Sequence, residues 1–191
     1  TGGRVALQDQ EPQTFHGVQF AYKDGGVHME MPAFISELLE EVGMRHANPS
    51  KTTSASGYRL SRLDTPADDA ERRTAVVDTN RMFRQTFTHY DEVIRYYGHI
   101  VSSIGWIAQK VGPSMLHAHS VLCRVLAAPS VHAFQGIKHL LRFLSGHQDM
   151  YRSYYPHRTY DWRSGDFPEW VIMTDASYAD DLFDRRTQGG Y

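Results

Sequence analysis

Between residues 91 and 111, apolar side chains recur at Val93, Tyr97, Ile100, Ile104, Ile107 and Val111, alternately four and three residues apart. That spacing predicts a long helix with one continuous buried stripe. A second stripe, Val131, Phe134, Ile137, Leu141 and Leu144, predicts a helix capped by Ser130 and stopped by Gly146, with Lys138, His139 and Arg142 on its other side. Between them, Pro113-Ser114 ends the first helix, and a helix over residues 115–127, capped by Ser114, stops before Pro129.

Near the start the period changes. Residues 15–31 read as a β-hairpin with His16, Val18, Phe20 and Tyr22 on one face, a turn at residues 23–26, and Val27, Met29 and Met31 sharing a face on the return. Pro32 then opens a helix whose stripe is Phe34, Leu38, Leu39 and Val42. Residues 46–73 are polar and read as a long loop or weakly ordered linker. Residues 1–14 read as loop, and residues 151–155 and 169–175 as short strands. Hairpin, helices, then strands make an α+β arrangement.

Composition changes this picture little. A hydrophobic fraction of 41% and a charged fraction of 22% are ordinary for a globular chain. No apolar run has membrane-spanning length and no signal peptide is present, so no membrane partner is expected. The single cysteine, Cys123, excludes an internal disulfide framework, fits a reducing compartment and reads as a small buried residue on a helix.

Charge changes it more. Residues 93–147 contain no Asp or Glu, yet carry Arg95, Lys110, Arg124, Lys138 and Arg142 and six of the 11 histidines. All 22 acidic residues lie elsewhere. Two readings follow: one region faces an anion, or a helical core carries a few solvated bases.

The long helix has a second face with His99, Ser102, Ser103, Trp106, Gln109 and Lys110. Small side chains, Gly105 among them, let a helix axis approach another surface, Ser and Gln bond without demanding a sequence, and Trp offers a flat plate. Those properties suit the shallow minor groove of an RNA–DNA hybrid. The competing reading packs Trp106 against a neighbouring helix or the hairpin.

Other chemistries are excluded by spacing. His117 and His119 are two apart on a helix and point away from one another, which does not suit a shared metal ion. No zinc-protease spacing, acyl-transfer triad around Ser177 or phosphate-binding glycine loop is present.

Taken in order, these segments resemble the C-terminal part of the polyprotein of a copia-type LTR retrotransposon, where reverse transcriptase runs into ribonuclease H. Phe15-His16-Gly17-Val18 resembles F-L-G-I, the hairpin that grips the primer, and residues 97–106 resemble Y-R-S-L-I-G-S-L-M-Y. Gly112-Pro113-Ser114-Met115 stands where that family has R-P-D-I, and Leu122-Cys123-Arg124-Val125 resembles L-S-R-F. Residues 137–146 resemble A-K-R-V-L-R-Y-L-K-G, residues 174–179 resemble S-D-A-D-W-A, and residues 184–191 resemble D-R-K-S-T-S-G-Y. The chain departs from the pattern at Gly98 and Gly112, which replace arginines, at Ser102, which replaces a glycine, at Ser114, which replaces an Asp, and at Ser177, which replaces the second Asp of D-A-D. In that family the polymerase signature, an aromatic residue, one further residue and two aspartates, belongs upstream of the hairpin, and no such run stands before residue 15 here.

The resemblance implies an end of palm with a primer-grip-like hairpin over 1–32, a helical thumb-like bundle and connection over 33–147, and the first strands of a truncated ribonuclease H-like domain over 148–191. It implies an RNA–DNA hybrid or primer–template, and the rest of the Pol polyprotein, as partners. Ser102, Trp106, Gln109, Lys110, Arg124, Lys138 and Arg142 would contact nucleic acid. Asp175 would be the first of several carboxylates holding magnesium in the intact family enzyme, the chain alone being catalytically incomplete and binding no magnesium tightly. Asp180, Asp181 and Asp184 read as solvated turn residues. An intracellular location, in a cytoplasmic virus-like particle or the nucleus, is implied as well. The alternative is a degenerate or domesticated element that keeps the helical core as a structural or protein-interaction domain.

Overall fold

The structure, a computed structural model, describes residues 11–155 and the backbone of two short strands, 175–177 and 188–190. The described chain is α+β, with a four-stranded antiparallel sheet against five α-helices.

Two tight turns build the start of the sheet. Strands β1 (Gln13–Phe15), β2 (Val18–Lys23) and β3 (Gly26–Glu30) pair antiparallel. Each turn has two central residues with positive φ: His16 (49°) with Gly17 (77°), and Asp24 (53°) with Gly25 (79°). Turns of that hand match the twist of the flanking strands. His16 therefore belongs to a turn and not to a strand face as the alternation predicts. Phe20 stands opposite Met29, and both pack with the buried Val18 and Met31 on the helical core.

Helix α1 (Pro32–Glu41) starts with Pro at its first turn and buries Ile35, Leu38 and Leu39. It ends before Gly43, whose φ of +67° releases the chain. Residues 45–61 then run as an irregular strap along a later helix, and a 3-10 turn (Arg62–Asp64) follows. The strap is not weakly ordered. Leu60 is buried in the core, and Ser50 and Ser61 are buried polar residues.

Helix α2 (Asp69–Phe83) begins inside the segment expected to be linker. The Asp68 side chain accepts from Glu71 N at 2.9 Å and caps the helix. Its buried residues, Ala75, Val76, Thr79 and Phe83, make a narrow stripe on an otherwise polar helix.

Helix α3 (Tyr90–Lys110) matches the predicted long helix, and its whole predicted stripe is buried. Glu92 accepts from the backbone N–H groups of His89 and Thr88 at 2.9 and 2.8 Å, which holds its carboxyl below the usual carboxylate range. A 3-10 turn (Pro113–Met115) leads into α4 (Leu116–Cys123), which stops several residues before Pro129. Ser114 is exposed and makes no capping bond, so its expected role is not filled. Helix α5 (Val131–Ser145) is capped as expected, Ser130 Oγ accepting from Ala133 N at 3.3 Å.

The core lies where α3, α4 and α5 meet. Tyr97 is fully buried there, edge-on to Phe134, and donates its hydroxyl to Leu122 O at 2.9 Å. Burial pushes its phenol pKa far up, which keeps it a neutral donor.

Strand β4 (Tyr151–Tyr154) does not begin a new unit in the described residues. It joins the N-terminal sheet beside β3, with His28 opposite Ser153 and Glu30 opposite Tyr151. The strands β5 (Asp175–Ser177) and β6 (Gln188–Gly190) form a separate antiparallel pair. Among the described residues no helix is long and apolar enough to cross a membrane.

Candidate nucleic-acid interface

The outward face of α3 follows from its buried one. Positions two residues on from the core stripe fall about 200° around the helix and face away from it. Arg95, His99, Ser102 and Gln109 are accordingly exposed. Trp106 is half-buried and packs its inner side on the core. Its ring carries the Lys110 ammonium 4.5 Å above the centroid, a cation–π pair that positions both side chains. His99 Nε2 lies 3.0 Å from Glu41 Oε1, which puts one carboxylate from α1 beside this face. The structure thus brings four expected contact residues together, Ser102, Trp106, Gln109 and Lys110.

Gly105 has a different use from the one its size suggested. A Cβ there would fall 2.5 Å from His119 Nε2, so the missing side chain admits α4 and not an outside surface. Burial holds the His119 imidazole below its usual pKa, although a bond to the Val101 backbone works against this. Cys123 Sγ lies 3.5 Å from His119 Nε2, and burial pushes that thiol up. Both groups favour their neutral forms, whereas a thiolate–imidazolium pair needs the reverse on each.

Of the remaining expected contacts, Arg124 and Arg142 serve the strap. Arg142 Nε donates to Asn48 O at 2.7 Å, and Ser50 N returns a bond to Arg142 O at 3.1 Å. Arg124 Nη1 reaches Leu60 O at 3.5 Å. Lys138 is exposed. Ser50 Oγ and His139 Nε2 are 2.9 Å apart, a distance that suits a nucleophile and its base. The same nitrogen lies 3.0 Å from Thr52 O, a carbonyl to which it must donate, and among the described residues no carboxylate orients the ring, so the pair fastens the strap.

Sequence reasoning missed the strap because nothing periodic marks it. Its partners on α5 are read only in three dimensions: Ser145 Oγ with Arg45 O and Ala47 O, His132 Nε2 with Arg59 O, and the Tyr58 hydroxyl with His132 O. The strap lies so close that a Cβ at Gly136 would collide with the Tyr58 hydroxyl.

Asp175 opens β5 and pairs with Gly190. Its side chain, and Asp180, Asp181, Asp184 and the segment 169–174, lie outside the described residues. Among the described residues no three His, Cys, Asp or Glu side chains are grouped to hold a metal ion. Compared with family models, curated proteins and solved structures, the chain gives no match. What the geometry defines is an α+β chain whose longest helix carries an outer face of exposed Ser and Gln with half-buried Trp and Lys, in an acid-free segment.

Proposed function

We propose that the chain handles nucleic acid as the thumb and connection of a copia-type retrotransposon reverse transcriptase, running into the start of a ribonuclease H. The outer face of α3 rests on an RNA–DNA hybrid or primer–template, with the remainder of the Pol polyprotein as partner. The observation that carries this reading is the joint exposure of Ser102 and Gln109 beside the half-buried Trp106 and its Lys110. That face has short polar groups and one plate, with no Asp or Glu on its own helix from Val93 onward. The order of hairpin, helices and late strands supports it. So does the antiparallel pairing of β5 and β6, the segments that resemble the ribonuclease H start. In this reading Asp175 is one magnesium ligand.

The alternative is an interaction domain without nucleic-acid affinity. It is favoured by Arg124 and Arg142, both of which donate to strap carbonyls. Substitution of Trp106 separates the two. Trp106→Ala should weaken binding of a short RNA–DNA hybrid by about 1–3 kcal/mol, as loss of a stacking plate does. It should destabilise the fold less than Ile104→Ala, because Ile104 is wholly buried and its truncation costs about 2–5 kcal/mol. Unchanged hybrid binding with a drop in melting temperature larger than that of Ile104→Ala would reject the α3 interface.

A further inference from the structure

Residues 42–63 contain no Asp or Glu, and neither do residues 93–147. The two segments are separate in sequence, and the fold lays one on the other. The contacts descend in register: Ala47 with Ser145, Asn48 with Arg142, Thr52 with His139, Arg59 with His132, and Leu60 with Arg124. In each the α4–α5 side donates to a main-chain carbonyl of the strap. A carbonyl acceptor is neutral, so Arg124 and Arg142 keep their charge while being held in place.

The result is one surface built from two acid-free segments. Besides the two held arginines it displays Lys51, Arg59 and Lys138, all exposed and without an ion-pair partner among the described residues. Arg45 does not add to it, because it pairs with Glu40. The acids that border the two segments in sequence are Glu41 and Asp64 for the first and Glu92 and Asp149 for the second. The strap contacts at His132 and His139 lie seven residues apart on α5, about 10 Å. That is roughly three phosphate steps at about 3.4 Å along one strand.

We propose that this strap–α5 face, centred on Lys51, Arg59 and Lys138, is a contact surface for a nucleic-acid phosphate backbone. It rests on the nucleic-acid reading above and deepens it, by adding an electrostatic footing beside the α3 face. The α3 residues supply shape contacts, and the strap supplies fixed positive charge that is independent of sequence. Lys51 and Arg59 gain this role through the strap's attachment, since the polar segment by itself has no fixed geometry to offer.

The test uses the full chain, a short fluorescent RNA–DNA hybrid and salt from about 50 to about 200 mM, the range over which phosphate contacts are lost. Lys51→Ala with Arg59→Ala should flatten the slope of log K against log salt by about 0.9 for each contact removed, with Lys138→Ala flattening it by a further step. Their side chains make no bond among the described residues, so melting curves should overlay the parent's. Binding with an unchanged slope after all three substitutions overturns this inference and leaves the α3 reading standing. Unchanged binding on α3 substitution, with a flattened slope here, overturns that reading alone, and a parent chain that binds no hybrid overturns both. Competition by polyglutamate equal to that of unlabelled hybrid would assign the face to an acidic protein and overturn the inference too.

Discussion

The imidazole of His119 lies against Gly105 of α3, so close that a Cβ at that position would fall 2.5 Å from its Nε2. Gly98, two turns earlier on the same helix, has nothing within 4 Å of the place a Cβ would occupy. The two glycines should therefore respond oppositely to alanine. Gly98→Ala should stabilise by about 0.5–1 kcal/mol, the ordinary helix preference. Gly105→Ala should destabilise by about 1–3 kcal/mol, because overpacking outweighs that preference. Paired thermal melts check it, and a gain in both variants would show that α4 yields freely.

Thr79 is wholly buried on α2, and its hydroxyl has no hydrogen-bond partner among the described residues. Replacement by valine keeps the shape and removes a desolvated polar group. Thr79→Val should raise stability by about 1 kcal/mol. Denaturant titration with an unchanged slope and a higher midpoint is the expected result.

Arg142 and Lys138 sit on the same side of α5 but have different duties. Arg142→Ala removes the bond to Asn48 O and should loosen the strap, with a cost of about 1–2 kcal/mol and faster exchange of the Ser50 amide hydrogen. Lys138→Ala should stay within about 0.5 kcal/mol of the parent and leave that amide protected. Equal exchange in the two variants would mean that the strap does not depend on the guanidinium.

The His119 pKa lies below its ordinary value because of burial. The unfolded chain therefore takes up a proton at this site more readily than the folded one. Stability is fully present above the ordinary histidine pKa of about 6.5 and is lost as pH falls through it towards the depressed folded value. Melting temperature should fall as pH is lowered from about 7 to about 5, and His119→Gln, which cannot titrate, should reduce that fall. A parallel pH dependence in parent and variant would place the effect on other histidines.

The elements that were legible in the sequence are those whose signal is local. The α3 stripe, Pro32 at the start of α1, Ser130 at the start of α5 and the glycine turn after β2 each depend on residues within one or two turns of each other. The His16-Gly17 turn was missed because alternation around Val18 continues through it, although positive φ at both residues demands a break. Helix α2 was missed because its buried stripe is narrow, and only Asp68 with Glu71 marks its start. Of the candidate interface, the α3 face was legible because it is the complement of a readable stripe. The duties of Arg124, Arg142 and Gly105 were not, because each is fixed by a partner distant in sequence: Leu60, Asn48 and His119.

The pairing of β3 with β4 has a consequence for the order in which this molecule can assemble. Everything from Met31 to Met150 is a single excursion that leaves the sheet on β3 and must return before Glu30 can meet Tyr151. The helices form mostly from nearby contacts, so they can condense early, whereas closing so long a loop waits on them. Until it closes, the side of β3 that carries His28, stacked on Tyr151 and bonded to Tyr155 in the finished sheet, is an open edge able to pair with another chain. The bundle is in this sense the template that brings the two ends of the sheet together, and a nascent chain is exposed to misassembly until residues beyond α5 have been made.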